Sequence, residues 1–110
     1  MINFQTCYKG VGEGKTAWLK SKVIDNLNKN IVYVGDPRKF TKFCENWIED
    51  YKTRCPVEFM ERTDALYNAD ILITDGLLSQ IDCLPILAIR HLNDQEETVT
   101  WYMTIEKSEQ

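Results

Sequence analysis

Near the N-terminus, Gly10, Gly12 and Gly14 are spaced two apart and run directly into Lys15 and Thr16. That combination has a chemical use. Glycines let successive backbone N–H groups turn inward around an anion, and a helix starting at the loop presents its positive N-terminus. An ammonium and a hydroxyl then complete a cradle for phosphate oxygens. A bare glycine cluster would serve equally well as a turn, so the setting decides. Ile2 to Tyr8 ahead of it is rich in strand formers, and Leu19, Val23, Ile24 and Leu27 behind it recur at helical spacing, with Lys20, Lys22, Asp25 and Asn26 off that face. The second candidate is Asp75, which closes the apolar run Ile71-Leu72-Ile73-Thr74 and precedes Gly76. It reads either as a carboxylate delivered by a buried strand or as the acid of an ordinary Asp-Gly turn.

Elements of the right kind surround both candidates. Ile31 to Val34 has strand length and is closed by Gly35-Asp36-Pro37. Phe40, Phe43, Cys44, Trp47, Ile48 and Tyr51 then fall at i, i+3, i+4, i+7, i+8 and i+11, which predicts a helix over 39–52. Pro56 introduces a third strand, Val57-Glu58-Phe59-Met60; Thr63 to Asn68 has room for a helical turn, and Ile71 to Thr74 is a fourth strand. Leu77 to Leu92 reads as a helix broken near Pro85, with Ile86 to Leu92 open to a strand reading and His91 at a helix end. Val99, Trp101, Met103 and Ile105 alternate with Thr100, Tyr102, Thr104 and Glu106, the period of a half-buried final strand. From position alone, Trp101 and Tyr102 are read as edge-strand residues available to a second subunit. The expected fold class is α/β: a three-layer α/β/α sandwich around a mainly parallel sheet of about five strands. Asn3 and Gln5 sit oddly in it, because a central parallel strand is usually apolar on both faces.

Composition narrows the function classes. At 110 residues and 44% apolar content, the chain is read as one compact domain, 1–110, which excludes a multi-domain enzyme. A formal net charge of -4 excludes a basic cradle for nucleic acid over the whole surface. Contact with DNA falls to a local patch of Lys9, Arg38, Lys39 and Lys42, or to a partner protein. Phe40, Phe43 and Trp47 lie beside that patch, but their helical spacing assigns them to the core before any stacking role. Cys7, Cys44, Cys55 and Cys83 contain no CxxC pair and one histidine accompanies them, so neither a zinc nor a disulfide framework is expected, and Cys7 reads as a small buried residue. With no leader pattern and no apolar run near the roughly 18 residues of a spanning helix, no membrane partner and a cytoplasmic location are expected.

The stretch Lys9-Gly10-Val11-Gly12-Glu13-Gly14-Lys15-Thr16 resembles the Walker A motif of the P-loop NTPases, with lysine where that family has its first glycine. The resemblance implies that Gly10, Gly12, Glu13, Gly14, Lys15 and Thr16 bind the phosphates of ATP. It further implies that Lys15 contacts the β and γ phosphates and that Thr16 holds Mg2+. Ile71-Leu72-Ile73-Thr74-Asp75 resembles the Walker B strand, which would make Asp75 a second magnesium ligand through water and, with Lys15, a catalytic residue. Gly76 follows where hydrolysing members often place glutamate, leaving Glu13 and Asp36 as substitute bases; Asp36 reads more simply as a turn residue. A competing alignment takes Ala69 to Leu78 as the segment preceding the acidic motif of helicase motor domains, with Ile31 to Gly35 as their second strand. That alignment needs its acid near Asn93 to Glu97.

The expected function is Mg2+-dependent ATP binding and hydrolysis linked to a nucleic-acid process, similar to small virus or phage ATPases, in which case the location is the host cytoplasm. Nucleotide and DNA are its expected partners, with self-assembly into a homo-oligomer. The rival is a non-catalytic adaptor that keeps the fold, favoured by Lys9, Gly76 and the short length. A small-molecule kinase using Asp36 ranks last, because no arginine-rich lid segment is present.

Overall fold

Apolar strand-length runs and the helical spacing of buried residues divide the chain as the residue types demand. The computed structural model describes residues 2–10, 12–60, 68–76 and 98–106. In chain order the elements are β1 (Ile2–Lys9), α1 (Lys15–Asp25), β2 (Ile31–Tyr33), α2 (Pro37–Tyr51), β3 (Glu58–Phe59), β4 (Ile71–Asp75) and β5 (Val99–Glu106). The strands form one all-parallel sheet in the order β1-β5-β4-β2-β3, which is an α/β fold. Among the described residues the helices are α1 and α2. The helical turn expected over Thr63 to Asn68, apart from Asn68 itself, and the readings for 77–97, including His91, lie outside the described residues.

Both helices pack on one face. Leu19 and Val23 of α1 and Phe43 and Trp47 of α2 share a buried cluster with Ile31, Tyr33, Ile71, Ile73 and Tyr102. The alternate strand residues, Val32, Leu72, Val99 and Trp101, join Val34 and Ala69 in a second cluster on the opposite face. Burial on both faces is why β2 and β4 read as unbroken apolar runs. β1 tolerates Asn3 and Gln5 because it lies at the end of the strand order, pairing with β5 on one side. Phe4 and Tyr8 are 50% and 60% exposed there. The edge-strand reading of Trp101 and Tyr102 is corrected by the same order, since β5 pairs with β1 and with β4 and both rings are buried. Alternation along a strand reports its faces and not its neighbours, so a central strand with polar alternate residues looks like an edge.

The helices follow their capping chemistry. Pro37 occupies the first turn of α2, and the Asp36 carboxylate accepts from the Arg38 N–H at 2.8 Å, a cap that starts the helix two residues ahead of the apolar periodicity. Lys52 ends it in the left-handed region at φ 56. α1 ends at Asp25, so Leu27 lies beyond it and is exposed. Lys20, expected off the buried face, is instead buried, because α1 has a second neighbour: its ammonium meets Asp50 of α2 at 2.7 Å.

Cys44 of α2 and Cys55, ahead of β3, share a thiol–thiol hydrogen bond. Burial, reinforced by Cys55, pushes the Cys44 thiol up to about 12, and burial also raises Cys55. Burial raises the Tyr33 hydroxyl too, with Asp75 and Asp36 adding to the effect. The folded chain therefore binds protons that the unfolded chain releases above about pH 9, and stability must fall as pH rises from there. Urea midpoints at pH 8 and pH 10.5 should show that fall, and Cys44→Ala should make it smaller. An equal fall in the variant would remove Cys44 from the account.

Candidate functional site

All five strands run parallel, so their carboxyl ends share one rim of the sheet, where ligands of α/β folds bind. β1 reaches that rim at Lys9 and turns into α1. Gly12 and Gly14 take φ 74 and 94, a left-handed region that other residues enter at a cost. Gly14 caps α1 without any side-chain hydrogen bond to the first turn. The amides at the start of α1 thus carry the positive end of the helix dipole with no capping side chain to answer it. Lys15 Nζ reaches back to the Gly10 carbonyl at 3.4 Å.

The acid arrives from two strands away. β5 separates β1 from β4, so at about 4.8 Å per strand the two rim positions stand roughly 10 Å apart. Asp75 pairs in register with Thr104 of β5. The Thr104 hydroxyl donates to Asp75 Oδ1 at 2.5 Å and accepts from the Gly76 N–H at 3.3 Å. Thr104, itself fully buried, therefore fixes the carboxylate from the intervening strand. Lys39 of α2 lies over the same corner, its Nζ 3.4 Å from the Asp75 carbonyl oxygen.

These pieces border one open cleft of about 510 Å3, lined by Gly12, Gly14, Lys15, Thr16, Lys39 and Asp75 among others. Of the residues expected from sequence, Gly12, Gly14, Lys15, Thr16 and Asp75 are brought together. Gly10 and Glu13 are not on the cleft wall: the Glu13 carboxylate turns back and accepts from the Gly10 N–H at 2.7 Å, while the Glu13 N–H donates to the Gly10 carbonyl at 3.2 Å. Asp36 is occupied as the cap of α2. Lys39 and Lys42 of the expected basic patch border the cleft or the smaller chamber beside it, whereas Lys9 and Arg38 line neither. Phe43 and Trp47 are buried and Phe40 stacks on Phe59 with centroids 5.0 Å apart, so these rings are packing rather than a stacking platform.

Thr104 and Asn46 were not singled out as site residues from the sequence, and Lys39 was read only as part of the basic patch. The one signal for Thr104 was its place near the carboxyl end of a strand on the face opposite Trp101 and Met103. Asn46 gave none, and nothing placed Lys39 over Asp75, because which helix face overlooks the rim depends on the strand order. The donors suit magnesium: a threonine hydroxyl and a carboxylate are hard oxygens, and the ion commonly completes its shell with phosphates and water. Among the described residues no cluster of three His, Cys, Asp or Glu side chains occurs, and no helix is long and apolar enough to cross a membrane. No protein-family model, curated protein or solved structure matches the chain.

Proposed function

We propose that the chain is a small P-loop-type nucleotide-binding domain, an α/β/α sandwich that binds ATP with Mg2+ and hydrolyses it in support of a nucleic-acid process. The observation that carries this reading is the convergence of Lys15 and Thr16 from α1 with Asp75 from β4 on one cleft at the carboxyl rim of a parallel sheet. In this role the α1 amides and Lys15 hold the phosphates, and Thr16 and Asp75 orient the magnesium ion, which supplies charge neutralisation on the γ-phosphate. Lys15 and the α1 dipole stabilise the charge that spreads over the phosphoryl oxygens as water attacks. Lys9 and Arg38, exposed and outside both cavities, are the patch cations left to meet a DNA backbone, and the exposed edge of β1 is the surface by which copies would assemble. A minimal virus-type ATPase working in the host cytoplasm fits this reading. The test is ATP binding with and without Mg2+, beside Lys15→Ala, followed by phosphate release with and without DNA.

The adaptor reading has its own observation. Glu13 places a carboxylate on a loop amide, an internal anion where the family binds phosphate, and Gly76 supplies no base after Asp75. Glu13→Gln keeps an acceptor for the Gly10 N–H and removes the charge, so ATP affinity should rise by about threefold to tenfold as like-charge repulsion is lost. Unchanged or weaker binding, read by fluorescent ATP titration, would show that the carboxylate supports the loop instead of competing with the ligand. Tight binding with no phosphate release under any condition would select the adaptor.

A further inference from the structure

A smaller chamber of about 240 Å3 adjoins the cleft, with Thr16, Lys39 and Asp75 common to both. One wall is a single face of α2, carrying Lys39, Lys42 and Asn46 at i, i+3 and i+7, and Tyr33 of β2 lines it as well. At roughly 30 Å3 per water, the volume equals about eight waters, enough for a phosphate group with part of its hydration.

Two of the lining groups lack partners among the described residues. Tyr33 is 1% exposed, and its ring packs on Phe40 and Phe43. No hydrogen bond to its hydroxyl is made among the described residues. A buried hydroxyl without a partner costs about 1–3 kcal/mol, so its presence beside a polar chamber points to something that binds there. Burial and the nearby carboxylates keep that hydroxyl protonated, and it can therefore donate. Lys42 has no ion pair among the described residues, since the described pair is Lys20 with Asp50. The negative member of the lining, Asp75, is engaged by Thr104.

From this geometry we infer that the chamber is a second anion subsite, which takes a phosphate group from a small molecule between Lys42, Asn46 and the Tyr33 hydroxyl. Lys39 stands between the two sites and faces both ligands. That the neighbouring ligand is the terminal phosphate of a nucleotide rests on the proposed function; the anion chemistry of the chamber does not. The phosphate is either the free ion or a phosphomonoester, and both present the same dianionic oxygens to the same donors.

The subsite is tested by titrating inorganic phosphate, and separately a nucleoside monophosphate, into 15N-labelled protein at constant chloride ionic strength. The Asn46 side-chain amide and the amides of Gly12, Gly14 and Lys15 should shift along two separable curves. Lys42→Ala should weaken the Asn46 curve by about tenfold and leave the loop curve within twofold, with unchanged dispersion elsewhere confirming the fold. Tyr33→Phe should weaken the Asn46 curve alone. A response at Asn46 to phosphate identifies the free ion, and a response to the monophosphate alone identifies the ester. An unresponsive Asn46 amide under both ligands, or equal weakening of both curves by Lys42→Ala, overturns the subsite. If Lys15→Ala leaves the loop curve unchanged while Lys42→Ala removes the Asn46 response, the nucleotide reading fails and the subsite stands.

Discussion

Lys15→Ala is expected to weaken Mg·ATP binding by about 10- to 140-fold with little loss of stability. The magnitude follows from what the ammonium touches. Among the described residues it has one long hydrogen bond, 3.4 Å to the Gly10 carbonyl, so little is given up when it is removed. Toward a triphosphate it would form charge-assisted hydrogen bonds, worth about 1.5–3 kcal/mol where a charged partner is lost, which at 1.4 kcal/mol per decade gives the stated range. Stability and affinity therefore separate: urea midpoints should agree with the unmodified chain while the dissociation constant rises. Lys15→Arg, which keeps the charge and changes its shape, should fall between the two. An alanine variant that binds Mg·ATP as tightly as the unmodified chain would end the phosphate-loop reading, because no other described residue reaches the cleft from the start of α1 with a positive charge.

Much of this arrangement was legible because its determinants are local. The glycines needed a strand before them and a helix after, and Ile2 to Tyr8 and Leu19 to Val23 announce both by periodicity. β4 was readable as an unbroken apolar run ending in an acid, and α2 by Phe40, Phe43 and Trp47. What stayed hidden depends on strand order. Nothing in the alternation of Val99 to Glu106 says that β5 enters between β1 and β4, yet that single fact makes Trp101 central instead of peripheral and sets Thr104 beside Asp75. The same fact explains Asn3 and Gln5, because β1 at the end of the order tolerates polar residues that a central strand would not. Glu13 was hidden for another reason: a carboxylate in a glycine loop can face a ligand or fold back on an amide, and residue type does not choose between them. The helicase alignment gains nothing from the described residues, since its acid would fall at residues 93–97, outside them.

Trp101 carries the second large effect, through the wedge that holds the two halves of the site at their spacing. On β5 it stands in register with Phe4 of β1 and Leu72 of β4. Its ring lies 5.3 Å from that of Phe4, and its Nε1–H donates to the Thr74 hydroxyl at 2.9 Å, one residue before Asp75. Trp101→Ala removes a side chain that is 2% exposed and should cost about 3–5 kcal/mol, a large share of the roughly 5–15 kcal/mol available to a domain of this kind. Trp101→Phe separates packing from hydrogen bonding. It retains a ring and leaves the Thr74 hydroxyl, fully buried, without its donor, which should cost about 1–3 kcal/mol. Adding Thr74→Val to it should recover part of that loss, since an apolar group then faces an apolar ring. Urea denaturation of the single and double variants measures each term, and a double-variant stability no better than Trp101→Phe alone would show that the cost is shape and not the hydrogen bond. Below the unfolding transition, Trp101→Phe should bind Mg·ATP less tightly while its binding of ATP without metal changes little. The reason is geometric: Thr74 sits between the wedge and Asp75, and a shift of β4 against β1 moves the carboxylate and leaves the α1 amides and Lys15 in place.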